Sequence, residues 1–209
     1  MNQRFLRAGV AGIFGISLIL STLPAFAGAP TDQTRSTTDK ILSILNNPEL
    51  RSPARKNERR DQLRAAVKPR FDFAEMSKRS LGPQWSRRSP QEQQQFVQLF
   101  TELLENSYLD QIESYNGEKI TYGREILDKD HAEVPTKVVS NKGEEFSVDY
   151  MLHSADGEWK VYDVTIENIS LVNNYRSQFN RILAKSTFDE LLKKLQAKAP
   201  EITGVKTRG

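Results

Sequence analysis

Few residues of this chain belong to types that do chemistry, and their spacing narrows what remains. It has no cysteine and two histidines, His131 and His153. Thiol nucleophiles are therefore absent, and a multi-histidine metal site is not expected. The chain contains no Gly-x-Ser-x-Gly elbow, no His-Glu-x-x-His and no Gly-x-x-x-x-Gly-Lys phosphate loop. His153 falls on the polar side of an alternating segment beside a turn and reads as solvated. Asp163 stands out, because it sits between Tyr162 and Val164 where the alternation breaks. One reading makes it a general base inside a cavity. The other makes it a carboxylate held by backbone or arginine hydrogen bonds at an irregular spot, with Arg176 as partner. No second acid, histidine or metal motif accompanies it, which favours the second reading.

The elements around these residues follow from caps and periodicity. Residues 1–27 carry Arg4 and Arg7, then an apolar run from Ala8 to Leu23, then Pro24-Ala25-Phe26-Ala27. That order is expected of a cleaved secretory signal peptide, with residues 28–209 forming one domain. The chain's formal charge is +3 and its isoelectric point about 9.0. Residues 1–27 hold two of the positive charges and no acid, so the remainder carries +1. This is not the charge of a nucleic-acid binder. A domain of this size buries a core without disulfides.

Residues 28–38 read as a loose polar leader. Ile41, Leu42, Ile44 and Leu45 predict a first helix ending at Asn46-Asn47-Pro48. Ser52-Pro53 opens a second, running to Pro69. Its basic run (Arg55, Lys56, Arg59, Arg60, Arg64, Lys68) reads as a solvated face, or else as a dock for anionic lipid or an acidic partner. Phe71, Phe73 and Met76 mark a short helical piece before the turn at Leu81-Gly82-Pro83. Ser89-Pro90-Gln91-Glu92 is a capping box that starts a long helix reaching about Tyr115. Its apolar face is broader than a surface helix needs.

Four strand-like segments follow, at 118–127, 131–140, 144–153 and 158–168. In the last, Trp159 and Val161 are apolar at odd positions, whereas Tyr162, Val164 and Ile166 are apolar at even ones. A bulge near Val161–Asp163 reconciles the two phases and bends the strand. Asp156-Gly157 signals a hairpin turn. Asn174 caps a further helix, and Thr187-x-x-Glu190 caps the last. Residues 200–209 read as a frayed tail. The fold class is α+β: a curved four-stranded antiparallel sheet packed with several helices around an apolar cavity.

The stretch from Trp159 to Phe179 carries a resemblance. Trp159-Lys160-Val161-Tyr162-Asp163-Val164, Ile169-Ser170-Leu171-Val172, Asn174-Tyr175-Arg176 and Gln178-Phe179 resemble the MlaC, or toluene-tolerance, family. Leu81-Gly82 with Trp85, Glu92 to Phe96 with Phe100, Leu104 and Tyr108, and Val148 with Tyr150 fit the same pattern. The resemblance covers about Lys40 to Leu195. The family often has glycine where this chain has Asn168, and glycine near Ser186-Thr187.

What the resemblance implies is a fold like nuclear transport factor 2 or cystatin with extra helices. It also implies a periplasmic phospholipid carrier, not an enzyme, with phospholipid as cargo, no cofactor and no metal. Its partners would be an inner-membrane Mla ABC transporter complex and an outer-membrane Mla lipoprotein–porin complex, with the carrier itself a monomer. The role would be maintenance of outer-membrane lipid asymmetry. The expected lipid-binding wall takes Phe96, Phe100, Leu103, Leu104 and Tyr108 from the long helix. It takes Val134, Val138, Phe146, Val148, Tyr150, Val164 and Ile166 from the strands. Ile169, Leu171, Val172, Tyr175 and Phe179 complete it. Two competing readings are an exported enzyme acting on an apolar small molecule with Asp163 as base, and a cavity-free module whose broad helix face docks a protein.

Overall fold

Helix α1 spans Ala29–Asn46, so the residues expected to be a loose leader are helical. Apolar periodicity misses them because polar side chains tether them. Thr31 donates to Glu125 from its backbone N–H (3.1 Å) and its hydroxyl (2.6 Å). The Gln33 side-chain oxygen accepts from Arg70 (2.6 Å) and from the Trp159 N–H (3.0 Å). The computed structural model describes residues 29–197. The expected signal peptide and the expected tail lie outside the described residues.

After short 3-10 turns at Pro48–Arg51 and Pro53–Arg55, helix α2 runs Lys56–Val67. Ser52 gives no side-chain cap to the second turn. Helix α3 (Phe73–Leu81) is capped by the Asp72 carboxylate, which accepts from the Glu75 N–H at 2.9 Å. Helix α4 (Pro90–Glu113) starts at the expected capping box, with both reciprocal Ser89–Glu92 bonds present.

The sheet holds β1 (Lys119–Tyr122), β2 (Ile126–Asp128), β3 (His131–Val139), β4 (Glu145–Ala155), β5 (Glu158–Ile166) and β6 (Ile169–Ser170). The six-stranded sheet is antiparallel and open, in the order β1-β3-β4-β5-β6, with β2 also paired to β3. One expected strand is divided and another stops two residues short. The segment 118–127 breaks opposite Pro135, which has no N–H to give to an edge partner. The segment 158–168 stops at Glu167 and Asn168, both left-handed, at φ 48° and 63°. Asparagine tolerates that conformation better than most residues other than glycine. The Asp156-Gly157 turn has positive φ at both residues, as a tight hairpin requires.

The expected bulge is present. Met151 pairs with Asp163 and Leu152 with Val161, leaving Tyr162 as the extra residue. Val161 and Val164 therefore face the same side despite their mixed parity. Val161 also exchanges backbone bonds with residues 70–72, which cover the β5 edge there.

Helix α5 runs Leu171–Leu183 and helix α6 Phe188–Gln196. Thr187 caps α6 as expected, but the cap of α5 is Ser170 and not Asn174. Leu171 and Val172 thus form the first turn of the helix, which explains why apolar residues occur there. The buried residues form two clusters. One joins α3 to α6 around Phe96, Phe100, Tyr175, Phe179 and Leu191. The other lies on the sheet around Val134, Leu152, Val161, Val164 and Leu171.

Candidate functional site

Strand register places the sheet's apolar side chains in four cross-strand rows on one face. The deepest joins Ala132, Leu152 and Val161, all nearly inaccessible. The next joins Val134, Tyr150 and Val164. The third joins Tyr122, Thr136, Val148 and Ile166, and the fourth Ile120, Val138 and Phe146. Burial falls along this series. Val134 is buried, Val148 and Ile166 are half-buried, and Phe146 is 38% exposed. Ile169, paired with Ile166, is 54% exposed. Helices close over the deep end and leave the other open, so the face is an apolar trough with a mouth at Phe146 and Ile169.

The expected wall residues divide between two environments. Val134, Val138, Phe146, Val148, Tyr150, Val164, Ile166 and Ile169 stand in or beside the trough. Leu171 joins the same cluster from α5, and Tyr108 packs against both clusters. Phe96, Phe100, Leu103, Leu104, Val172, Tyr175 and Phe179 instead belong to the closed helical core. There Phe100 meets Tyr175 edge-on at 5.1 Å and Phe179 at 5.4 Å between ring centroids. Tyr122, Ile120 and Thr136 share this face as well, and the alternation of Lys119-Ile120-Thr121-Tyr122 carries a faint signal of it.

Three tyrosines bring hydroxyls to this apolar region. Burial pushes the Tyr108 phenol far above its ordinary value, and a hydrogen bond to Tyr175 adds to the rise. Burial raises Tyr150 to about 12, with neighbouring Tyr122 contributing. Burial also raises Tyr122, although Thr38 and Arg35 of α1 partly oppose it. Arg35 lies 4.3 Å from the Tyr122 ring centroid. The Tyr122 hydroxyl is buried and makes no hydrogen bond. Thr136, in the same row, is satisfied by donating to the Val148 carbonyl.

Asp163 has a structural position. One carboxylate oxygen accepts from the N–H groups of Val164 (2.8 Å) and Val172 (3.0 Å), and the other accepts from the Ser170 hydroxyl. The acid thereby pins the start of α5 to the bulge. Arg176 is not its partner, because it donates to the Arg79 carbonyl at 2.7 Å.

On the opposite face His153 is half-buried and not solvated. It lies 3.0 Å from the Asp72 carboxylate. The bulge turns Tyr162 onto His131 and His153, with Arg79 stacked 4.0 Å from its ring centroid. Among the described residues no group of three or more His, Asp or Glu side chains could hold a metal ion.

The basic run on α2 is committed largely inside the molecule. Arg59 and Arg60 both bind Glu113 at 2.6 Å, Arg60 also pairs with Asp110, and Arg64 pairs with Glu105 at 3.0 Å. It therefore ties α2 to α4, which corrects the expectation of a solvated face.

An open antiparallel sheet with a half-covered apolar face and helices packed against it defines an α+β protein. Residues 35–197 match the family described as MlaC protein, and the chain belongs to that family. It is 29% identical over 170 residues to the toluene tolerance protein ttg2D of Pseudomonas putida, spanning 79% of each chain. It is 23% identical over 194 residues to the intermembrane phospholipid transport system binding protein MlaC of Haemophilus influenzae, spanning 90% of this chain and 91% of that one. The phospholipid-binding protein of Ralstonia solanacearum, solved in complex with a phospholipid, superposes with a TM-score of 0.72 at 26% identity. That match covers 82% of this chain and 97% of the other. The Haemophilus protein is named for phospholipid transport, and the Ralstonia protein binds a phospholipid.

Proposed function

We propose that this protein is a soluble periplasmic carrier that holds phospholipid acyl chains in the sheet trough. It shuttles lipid between the outer membrane and an inner-membrane ABC transporter complex, and so maintains outer-membrane lipid asymmetry. The observation that carries this reading is the graded burial of the apolar face, from inaccessible Leu152 to Phe146 at 38% exposure. A closed core has no reason to leave two apolar rows half-covered on the central strands, whereas a cargo site does. The phospholipid-bound relative supports it.

On this reading residues 1–27 are removed on export and residues 28–209 act as one domain. Among the described residues no helix is long and apolar enough to cross a membrane. The partners are the Mla transporter complex on one side and the Mla lipoprotein–porin complex on the other, with phospholipid as cargo and no cofactor. Hiding one chain of about fifteen methylenes contributes roughly 12 kcal/mol before ordering costs. Release therefore requires a partner that opens the trough.

Asp163 serves the fold on this reading and not catalysis, since each of its oxygens already accepts a hydrogen bond. The test is native mass spectrometry of the purified protein, followed by extraction and identification of what it carries. Stoichiometric phospholipid is expected. A bare polypeptide mass, under conditions that preserve other lipid complexes, would overturn the proposal.

A further inference from the structure

Two phenol hydroxyls in the trough have no work to do in the protein alone. The Tyr122 hydroxyl is buried without a hydrogen-bond partner among the described residues. Thr38 is its polar neighbour, but the Thr38 hydroxyl, which donates to the Thr34 carbonyl (3.1 Å), stands outside hydrogen-bond geometry with Tyr122. The Tyr150 hydroxyl makes no hydrogen bond among the described residues, and burial pushes its phenol up. Its ring keeps accessible surface although its row partners Val134 and Val164 are buried. The two rings occupy neighbouring rows, Tyr150 beside Val134 and Val164, Tyr122 beside Thr136. A buried donor without a partner is disfavoured in a native fold, and phenylalanine would fill either place without that cost.

We infer that Tyr122 and Tyr150 form a polar subsite inside the apolar trough, which donates hydrogen bonds to the ester carbonyl oxygens of an O-acyl lipid. This deepens the carrier reading and rests on it. The chemistry selects the ligand group. An ester carbonyl is an acceptor with no proton of its own, so it complements two phenol donors. It is also the polar group that lies between acyl chain and head group. The subsite stands between the deep rows and the mouth row of Phe146, the level at which an ester would sit with its chain buried and its head group in water. An ether-linked lipid has the same chains and head group but lacks the carbonyl.

The test is competition between two probes. The purified protein is exchanged against vesicles holding equal amounts of dipalmitoyl phosphatidylcholine and its di-O-hexadecyl ether analogue. Bound lipid is then extracted and quantified by mass spectrometry. The ester form should be enriched roughly fivefold, the ratio that one or two net hydrogen bonds supply. Tyr122→Phe and Tyr150→Phe should each lower the ratio, and the double variant should bring it to about one.

Because each substitution removes one unpartnered oxygen, the lipid-free variants should melt no lower than the parent. A drop in melting temperature on both would assign the hydroxyls a structural bond and overturn the inference. Equal capture of the two probes by the parent protein, or full ester preference in the double variant, would also overturn it. Capture of neither probe would overturn the carrier reading itself, and the subsite with it.

Discussion

Replacing Val148 by tryptophan should strip the protein of lipid while leaving it folded, and replacing Leu104 by tryptophan should do the reverse. Val148 lies on the central strand in the half-buried third row, between Thr136 and Ile166. An indole there points into the trough and adds about seven heavy atoms, the room of roughly four methylenes. At about 0.8 kcal/mol per methylene the displaced contacts amount to roughly 3 kcal/mol, or about a hundredfold in retention. Leu104 is 5% exposed in the closed core beside Phe100 and Phe179. The same side chain there must displace packed neighbours and costs about 1–3 kcal/mol of stability. Lipid extraction with quantification per mole of protein reads the first effect, and urea midpoints read the second. Folded Val148→Trp protein with its full complement of lipid would refute the assignment of the trough. Lipid-free but fully stable Leu104→Trp protein would show that the helical core is the wall instead.

Three further outcomes follow from particular bonds. Asp163→Ala removes the acceptor of three hydrogen bonds at the start of α5 and should cost about 3 kcal/mol, while Asp163→Asn, which keeps an acceptor, should cost about 1; thermal melts rank the two. Glu113 is held below the ordinary 4.5: burial works to raise it, but the Arg60 and Arg59 guanidiniums outweigh burial. A depressed folded-state value stabilises the fold above the unfolded value and is lost as pH falls through the folded one. Denaturant midpoints should therefore fall below about pH 4.5, and less steeply in Glu113→Gln. Asn168→Ala should cost about 1 kcal/mol at φ 63°, while Asn168→Gly should be close to neutral, as chemical denaturation would show.

Elements announced by a local device were legible in the sequence. The α4 start was readable because Ser89 and Glu92 stand three apart, and the β5 bulge because two apolar phases collide at Tyr162. The N-terminal half of α1 was hidden because Thr31, Gln33 and Thr37 tether it by polar contacts, which leave no 3.6-residue apolar period. The start of α5 was misplaced for a related reason. Its second anchor, Asp163, reaches it from another element. The α2 arginines looked free because their partners Glu105, Asp110 and Glu113 are far along the chain. Wall and core could not be separated by composition, since Phe146 in the mouth and Phe100 in the core are the same residue type. Their burial, 38% against 1% exposed, is decided by which rows the helices cover.

The bulge at Tyr162 joins these two territories. Were the same residues paired without the bulge, Asp163 and Val164 would exchange faces. Val164 and Ile166 would leave the trough, and the carboxylate would enter it. With the bulge, the trough stays apolar past Val161, and Asp163 reaches the Val172 N–H at 3.0 Å. One backbone irregularity thus sets the lining of the cargo face and fixes the helix that carries Tyr175 and Phe179 into the closed core. The helical core has its own dense aromatic packing and does not depend on the trough being filled. Cargo can therefore come and go at the sheet while the core stays closed, as a carrier that must survive empty requires. Deleting Tyr162 would test this link: it makes the strand regular but leaves Asp163 opposite Met151 and Val164 opposite Tyr150, so lipid retention and the α5 anchor should both persist, whereas Val148→Trp removes the cargo.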